Sequence, residues 1–138
     1  MNLFPSLRAT LKADSYFATT ISGFQDSSGR FKCFREGEAP SLEAPYITID
    51  VRYGGKTQWN WMKPYVMLHF NGKDTDWDTL WTLAQQTEAI FKASTCLNNP
   101  AGGKIQYELL GDADYDTGRD PVTEQVLVSL GQRFGIVQ

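Results

Sequence analysis

The segment YVMLHFNGKDTDWDTLWTLAQQTEAIFKAS (residues 65–94) changes its hydrophobic period in the middle, and this change points to the fold class. Apolar residues at alternate positions of residues 65–70 predict a half-buried strand, which Asn71-Gly72 ends. Beyond that turn, apolar residues recur at helical spacing and predict one long helix over residues 76–94. A strand followed directly by a helix indicates a protein that mixes both kinds of element.

The rest of the chain repeats these two periods. Helical spacing predicts an opening helix at residues 3–12 and a short second helix at residues 15–21. Alternation predicts further strands, at residues 31–34, 47–53, 105–109 and 122–137. This order predicts a single α+β domain over residues 1–138, with a mainly antiparallel sheet and with the long helix and the short N-terminal helix packed on one face.

The last two predicted strands are joined by an acidic segment, residues 111–121, which we expect to be the loop of a long hairpin. Within it, Asp112-Ala113-Asp114-Tyr115-Asp116-Thr117-Gly118 resembles a calcium-binding loop. The glycine and the glutamate that an EF-hand requires are each displaced by one position, because Thr117 and Thr123 occupy their places. We therefore favour a solvated hairpin tip, with incidental cation binding as the alternative.

Composition excludes several classes of protein. The chain has 138 residues, of which 41% are hydrophobic, so it is long enough for one core and too apolar to be disordered. The net charge of −3 argues against a broadly basic nucleic-acid binder. The N-terminus lacks the pattern of a secretory signal, and Cys33 and Cys96 match no metal or disulfide motif, so we expect a cytoplasmic site of synthesis.

Three other patterns resemble chemical sites without completing them. Gly54-Gly55-Lys56-Thr57 ends like a phosphate-binding loop, but Asp50 stands where the motif needs a glycine, so a hairpin turn is favoured. No spacing brings His69 to Cys33 as a nucleophilic pair. Asp50 and Glu108 remain possible as two carboxylates facing one another across strands. The sequence therefore predicts no catalytic, cofactor-binding or metal-binding residues, and no enzyme.

Aromatic and acidic residues form the candidate interface. Trp59 and Trp61 lie outside the alternating pattern, and they either fold back over the core or anchor a partner. Together with Asp112, Asp114 and Asp116 they are the candidate contacts with a partner or with other copies of the chain.

The arrangement resembles the tail terminator (tail completion, head–tail joining) proteins of long-tailed bacteriophages. The resemblance rests on the opening helix and its Asp14-Ser15-Tyr16-Phe17 continuation, the strand entry Ala44-Pro45-Tyr46-Ile47-Thr48-Ile49, the single long helix, and the end Phe134-Gly135-Ile136-Val137. It covers nearly the whole chain, although residues 26–43 and the tryptophan-rich turn have no counterpart in it.

What the resemblance implies is a structural virion protein without a cofactor. Such proteins form a ring, typically a hexamer, on the last ring of tail-tube protein, where they stop polymerisation and offer a surface to the head-completion protein. DNA passes through the ring without specific binding, and acids facing the lumen would keep it from adhering. The expected location is the virion, at the junction of head and tail, after assembly in the host cytoplasm.

Other functions stay open at this point. A head-closure or connector protein is also a small ring-forming α+β module, and it would bind the portal or adaptor ring. A small cytoplasmic ligand-binding or enzymatic α+β domain is an alternative of a different class, because a fold does not fix a function. A toxin–antitoxin or regulatory subunit is a further one, which the lack of a basic helix disfavours.

Overall fold

A computed structural model describes residues 2–19, 30–38, 45–53 and 62–137. It confirms the α+β class. The helices are α1 (Phe4–Ala13), α2 (Ser15–Thr19) and α3 (Trp77–Ala93), and a 3-10 turn (Asp74–Asp76) leads into α3. The strands are β1 (Cys33–Arg35), β2 (Tyr46–Arg52), β3 (Tyr65–Lys73), β4 (Cys96–Asn98), β5 (Lys104–Arg119) and β6 (Gln125–Ile136).

The six strands form one sheet in the order β1-β2-β3-β6-β5-β4. β1 and β2 are parallel, and every other neighbouring pair is antiparallel. Because side chains alternate across a strand, the register divides the sheet into two faces. One face is apolar and carries the core; for example, Ile49, Leu68 and Leu130 lie side by side on it.

The core lies between this apolar face and the helices. α3 packs on β3, β5 and β6 through fully buried residues such as Leu80 and Leu83. Near the end of α3, Phe91 meets Phe134 edge to face with ring centroids 5.0 Å apart, and Tyr107 lies 4.9 Å from Phe134. The same core includes Leu3, Leu7 and Leu11 of the N-terminal segment, and the partly buried Phe4 packs against it.

Two element boundaries differ from the sequence prediction. Asn71-Gly72 does not end β3, because Asn71 pairs with Leu127 and Gly72 with Val126. Gly72 is needed where the strand turns into the helix: a Cβ there would lie 3.0 Å from both Asp76 and Leu80. The prediction also missed β4, which begins three residues after α3 and pairs with the start of β5.

The acidic hairpin loop predicted at residues 111–121 is wrong in its extent. β5 continues to Arg119, and the turn occupies the residues between it and Gln125. The alternation of aspartates with Ala113 and Tyr115 is that of a strand, and β6 supplies the partner backbone for it. A register shift between Leu110 and Asp114, where Gly111 has φ +77°, interrupts the ladder. Asp112, Asp114 and Asp116 therefore lie along β5, and only Asp120 lies in the turn.

Some predictions fall partly or wholly outside the described residues. These include the end of the second helix, the turn at Gly54-Gly55 and the loop before Pro45. The short strand predicted at residues 31–34 corresponds to β1, which begins two residues later and ends one residue later. In the part of the chain that is described, no helix has the length and apolar content needed to cross a bilayer.

Candidate assembly interface

The face of the sheet opposite the core carries most of the predicted interface residues that the structure describes. We call it the open face, and α1, α2 and α3 all contribute buried residues to the core on its other side. By register it carries residues of β2, β3, β6 and β5, among them Thr48, Asp50, Met67, His69, Ser129, Asp114 and Asp116. This face is polar, in contrast to the apolar face behind it.

Asp114 and Asp116 lie together on the open face, opposite Gly131 and Ser129 of β6. Both side chains are exposed. The Tyr65 hydroxyl donates to the Asp114 carboxylate at 3.2 Å, and the Thr117 backbone N–H donates to the Asp116 carboxylate at 2.8 Å. Asp112 is also exposed and lies in the irregular segment of β5 beside them. The structure therefore brings the three predicted acids onto one stretch of strand.

Tyr65 organises the neighbourhood of these acids. Its ring lies over Gly131, and the Arg133 guanidinium is 5.1 Å from the ring centroid. Arg133 also donates to the Lys63 carbonyl at 2.8 Å. Burial raises the pKa of Tyr65, and its hydrogen bond to the Asp114 carboxylate raises it further. The hydroxyl thus stays protonated as a donor to Asp114 at neutral pH.

Asp120 does not belong to this acidic row, because it caps the hairpin turn. Its carboxylate accepts the N–H groups of Val122 at 2.9 Å and Thr123 at 3.4 Å. These hydrogen bonds favour the charged form and lower the pKa of Asp120. Its charge is used locally to hold the turn.

Three side chains at one end of the open face resemble a catalytic triad. The His69 Nδ1 atom lies 2.7 Å from Ser129 Oγ, and its Nε2 atom lies 3.7 Å from a Glu36 carboxylate oxygen. Ser129, however, lies in the middle strand between β3 and β5, so its neighbouring N–H groups serve the two ladders and are not free to stabilise an oxyanion. The Asp116 carboxylate, paired with Ser129 across the strands, would also repel such a charge. This arrangement does not support acyl transfer.

The other chemical alternatives also fail on geometry. Cys33 is buried in the core on β1, and burial raises the pKa of its thiol to about 12, which leaves it protonated and unreactive. The pairing of Asp50 with Glu108, which the sequence left open, is excluded because β3 and β6 lie between their strands. Three strand spacings separate β2 from β5, roughly 14 Å. Asp50 instead forms an ion pair with Arg52 at 2.8 Å.

Trp59, Trp61 and the glycine-rich segment at residues 54–57 lie outside the described residues. Among the residues that are described, no group of three or more histidine, cysteine or acidic side chains is placed to hold a metal ion.

The fold has a counterpart among solved structures. A chain from the virion of a native gene transfer agent (GTA) particle superposes with a TM-score of 0.59 at 13% sequence identity. The similarity covers 94% of this chain and 90% of that chain. No protein-family profile and no curated protein matches the sequence. At this identity the likeness establishes a shared fold.

Tyr115 connects the acidic row to α3 from the core side of β5. Its ring stacks on Trp81 with centroids 5.6 Å apart, and its buried hydroxyl makes no hydrogen bond of ordinary geometry within the described residues. Burial, and then the nearby Glu88 carboxylate, raise the pKa of Tyr115 to about 12. The folded protein therefore holds this phenol in its neutral form.

The raised pKa of Tyr115 predicts that the protein loses stability at alkaline pH. The unfolded chain begins to ionise Tyr115 near its ordinary pKa of about 10, whereas the folded chain resists until about 12. The free energy of unfolding should therefore fall as pH rises through this window. Tyr115→Phe should make the fall shallower and should change stability at pH 7 by about 1 kcal/mol at most, because within the described residues the hydroxyl makes no hydrogen bond of ordinary geometry and has only the Glu88 carboxylate nearby. Urea unfolding at pH 7 and pH 11 measures both, and equal pH dependence in the two proteins would contradict the prediction.

Sequence reasoning missed the residues that hold the acids in place. Tyr65, Gly131 and Arg133 were assigned to strands, without any role at the interface. The sequence did contain a hint: Gly131 and Gly135 recur four residues apart, so they lie on the same face of β6, and they leave room for side chains from the neighbouring strands. The partners could not be named, because the pairing register of β3 with β6 comes only from the folded sheet.

Proposed function

We propose that this protein is a structural virion protein that caps the tail tube of a phage or phage-like particle, acting as a single domain. In this role it assembles into a hexameric ring on the tail-tube protein, ends polymerisation of the tube and offers a surface to the head-completion protein. DNA passes through the ring without specific binding. The protein performs no catalysis and needs no cofactor.

The observation that carries the proposal is the fold shared with a chain of a GTA virion over 94% of this chain. The exposed carboxylates of Asp112, Asp114 and Asp116, which follow one another along β5, support it as a surface that another protein could contact. We assign these three acids, with Trp59 and Trp61, to contacts with partners or with other copies. A head-to-tail interface of this kind generates a closed ring when its rotation closes.

The experiment that tests the proposal is electron microscopy of particles assembled without this protein. We expect tails of abnormal length that lack heads, and restoration of normal particles when the protein is supplied in trans. A matched preparation complemented with the same gene carrying an early stop codon controls for the complementation itself. Normal tails joined to heads in its absence would contradict the whole proposal. Tails of normal length that lack heads would assign the protein to head closure instead.

A further inference from the structure

The two edges of the sheet differ, and the edge at β1 is closed. The Ile47 N–H donates to the Lys32 carbonyl, so the carbonyls of Phe31 and Cys33, on either side of Lys32, point away from β2. Arg8 of α1 donates to both of them, at 3.0 Å to Phe31 and 3.2 Å to Cys33. A neighbouring strand could not pair with these carbonyls without displacing that guanidinium. Such covering of an edge protects a sheet against association.

At the opposite edge, most of the length has no paired strand among the residues that the structure describes. β4 pairs with β5 at residues 104–106, and the Tyr107 N–H donates to the Thr95 carbonyl at 2.9 Å. Over residues 109–119 of β5, no strand in the described part of the chain pairs on the side away from β6. We call this stretch the free edge. It is longer than either of the two edge strands.

The hydrogen-bond pattern of the hairpin shows which groups the free edge presents. The Asp120 N–H donates to the Gln125 carbonyl across the turn at 2.9 Å. Because an antiparallel ladder bonds alternate residues, the backbone groups of Tyr115, Thr117 and Arg119 then point away from β6. The Thr117 N–H agrees with this, since it donates to the adjacent Asp116 carboxylate and to no strand. A strand added here would find N–H and C=O groups at the regular spacing of a sheet.

A groove lies beside the free edge at the start of α3. It has a volume of about 500 Å³, and its lining includes Trp77, Thr117, Arg119 and Val126. That volume is in the range of pockets that hold small ligands, about 300–1,000 Å³. Arg119 is paired with Asp74 in the same lining, so its charge is already compensated. The groove could accept one apolar side chain of a segment that runs along the edge.

The charges around the free edge select a basic occupant. Asp114 and Asp116 lie on its open-face side, and the exposed Asp78 follows Trp77 of the groove lining in the first turn of α3. Two copies of the free edge paired about a two-fold axis would bring these acids together, which is unfavourable. Within the described ranges, the basic extended stretch at residues 30–35 is already built into and around β1. The occupant should therefore come from a different protein.

We propose that the free edge binds an extended, basic segment of a partner protein as an added strand, with one apolar side chain of that segment in the groove beside Trp77. Main-chain hydrogen bonds to Tyr115, Thr117 and Arg119 supply affinity for any extended segment. Asp114, Asp116 and the groove select a basic segment with one apolar side chain. In the unbound protein the Asp116 carboxylate occupies the Thr117 N–H and discourages non-specific pairing. This inference rests on the sheet edge and does not depend on a role in the virion.

The test uses the full-length protein and a synthetic peptide as long as the free edge, in which lysine alternates with valine and one central valine is leucine. Binding is measured by titration calorimetry and located by amide hydrogen exchange. We expect saturable binding that slows exchange at Tyr115, Thr117 and Arg119 and that weakens as salt is raised. The same peptide with glutamate in place of lysine should not bind.

Two substitutions at one position separate strand addition from charge attraction alone. Thr117→Pro removes the edge N–H without removing a bond to β6, whereas Thr117→Ala keeps it. We expect Thr117→Pro to weaken peptide binding roughly tenfold, the equivalent of one lost hydrogen bond, and Thr117→Ala to bind like the parent protein. If circular dichroism finds Thr117→Pro unfolded, Asp114→Asn takes its place, with an expected loss of about two- to fivefold. Its control is Glu38→Gln, near the closed edge, which should leave binding unchanged.

Several outcomes would overturn the proposal. Equal binding of the lysine and glutamate peptides, equal affinities of the folded proline and alanine variants, or equal affinities of Asp114→Asn and Glu38→Gln would each do so. Protection at another edge would do so as well. Without peptide, slowed hydrogen exchange at the free edge that grows with protein concentration, together with a doubled mass in light scattering, would identify a second copy of the chain as the occupant. This result would also overturn the proposal. Normal tails joined to heads in particles that lack this protein, with peptide binding intact, would count against the virion role alone.

Discussion

Replacing Phe134 by alanine is expected to lower the free energy of unfolding by about 3–5 kcal/mol. Phe134 is fully buried at the junction of β6, β5 and α3. It contacts Phe91 edge to face and Tyr107 at a tilt, so the substitution removes two aromatic contacts and leaves a cavity. A domain of this size is stable by about 5–15 kcal/mol, so the loss would take a large share of the total.

Urea unfolding followed by far-UV circular dichroism measures this loss. Val122→Ala is the matched control, because Val122 is 88% exposed in the hairpin turn and should change stability by less than about 0.5 kcal/mol. Phe91→Ala combined with Phe134→Ala should cost less than the sum of the two, since the rings contact each other. A loss below about 1 kcal/mol for Phe134→Ala would mean that the ring is not packed in this core.

Replacing Gly131 by alanine is expected to destabilise the protein by about 1–3 kcal/mol and to disturb the acidic row. A Cβ at Gly131 would lie 2.1 Å from the Tyr65 hydroxyl oxygen and 2.8 Å from the ring carbon that carries it. The Tyr65 ring must therefore move away, and the hydrogen bond from its hydroxyl to Asp114 is lost with it. Because burial and Asp114 both raise the pKa of Tyr65, this pKa should fall towards its ordinary value.

A double-mutant cycle with Tyr65→Ala isolates the clash. Without the ring, Gly131→Ala should be neutral or should stabilise the protein by about 0.5–1 kcal/mol, because glycine is unfavourable within a strand. Gly118→Ala on β5 is the control, since a Cβ there would make ordinary contacts with Leu127 at 3.7 and 3.8 Å. Urea unfolding gives the stabilities, and ultraviolet titration of the phenols gives the pKa. Equal costs for Gly131→Ala with and without Tyr65 would refute the steric explanation.

The exposure of the predicted interface acids could be foreseen where side-chain chemistry alone was enough, whereas their role as an interface stays a prediction. Asp114 and Asp116 are exposed and adjacent, as acidic residues at alternate positions should be in either a strand or a loop. The loop assignment was wrong because strand propensity is low for aspartate, yet the ladder with β6 overrides propensity. The alternation of Asp114 and Asp116 with Ala113 and Tyr115 was the signal that could have placed them in the strand.

Local sequence determined the types of element and the buried side of each. The period of two around Val66, Leu68 and Phe70, and the helical period that buries Leu80 and Leu83, require no knowledge of the partner surface. These periods are properties of neighbouring residues, so the α+β class, the long helix and the core face could be predicted correctly.

Only the tertiary structure decided the order of the strands and therefore everything that depends on residues far apart in sequence. It placed β6 between β3 and β5, which set Tyr65 against Asp114 and separated Asp50 from Glu108. It also closed one edge of the sheet with Arg8, and at the other edge no strand among the described residues pairs with residues 109–119 on the side away from β6. Strand order is chosen by the packing of the whole core and by the geometry of the connections, and neither is encoded in a local pattern.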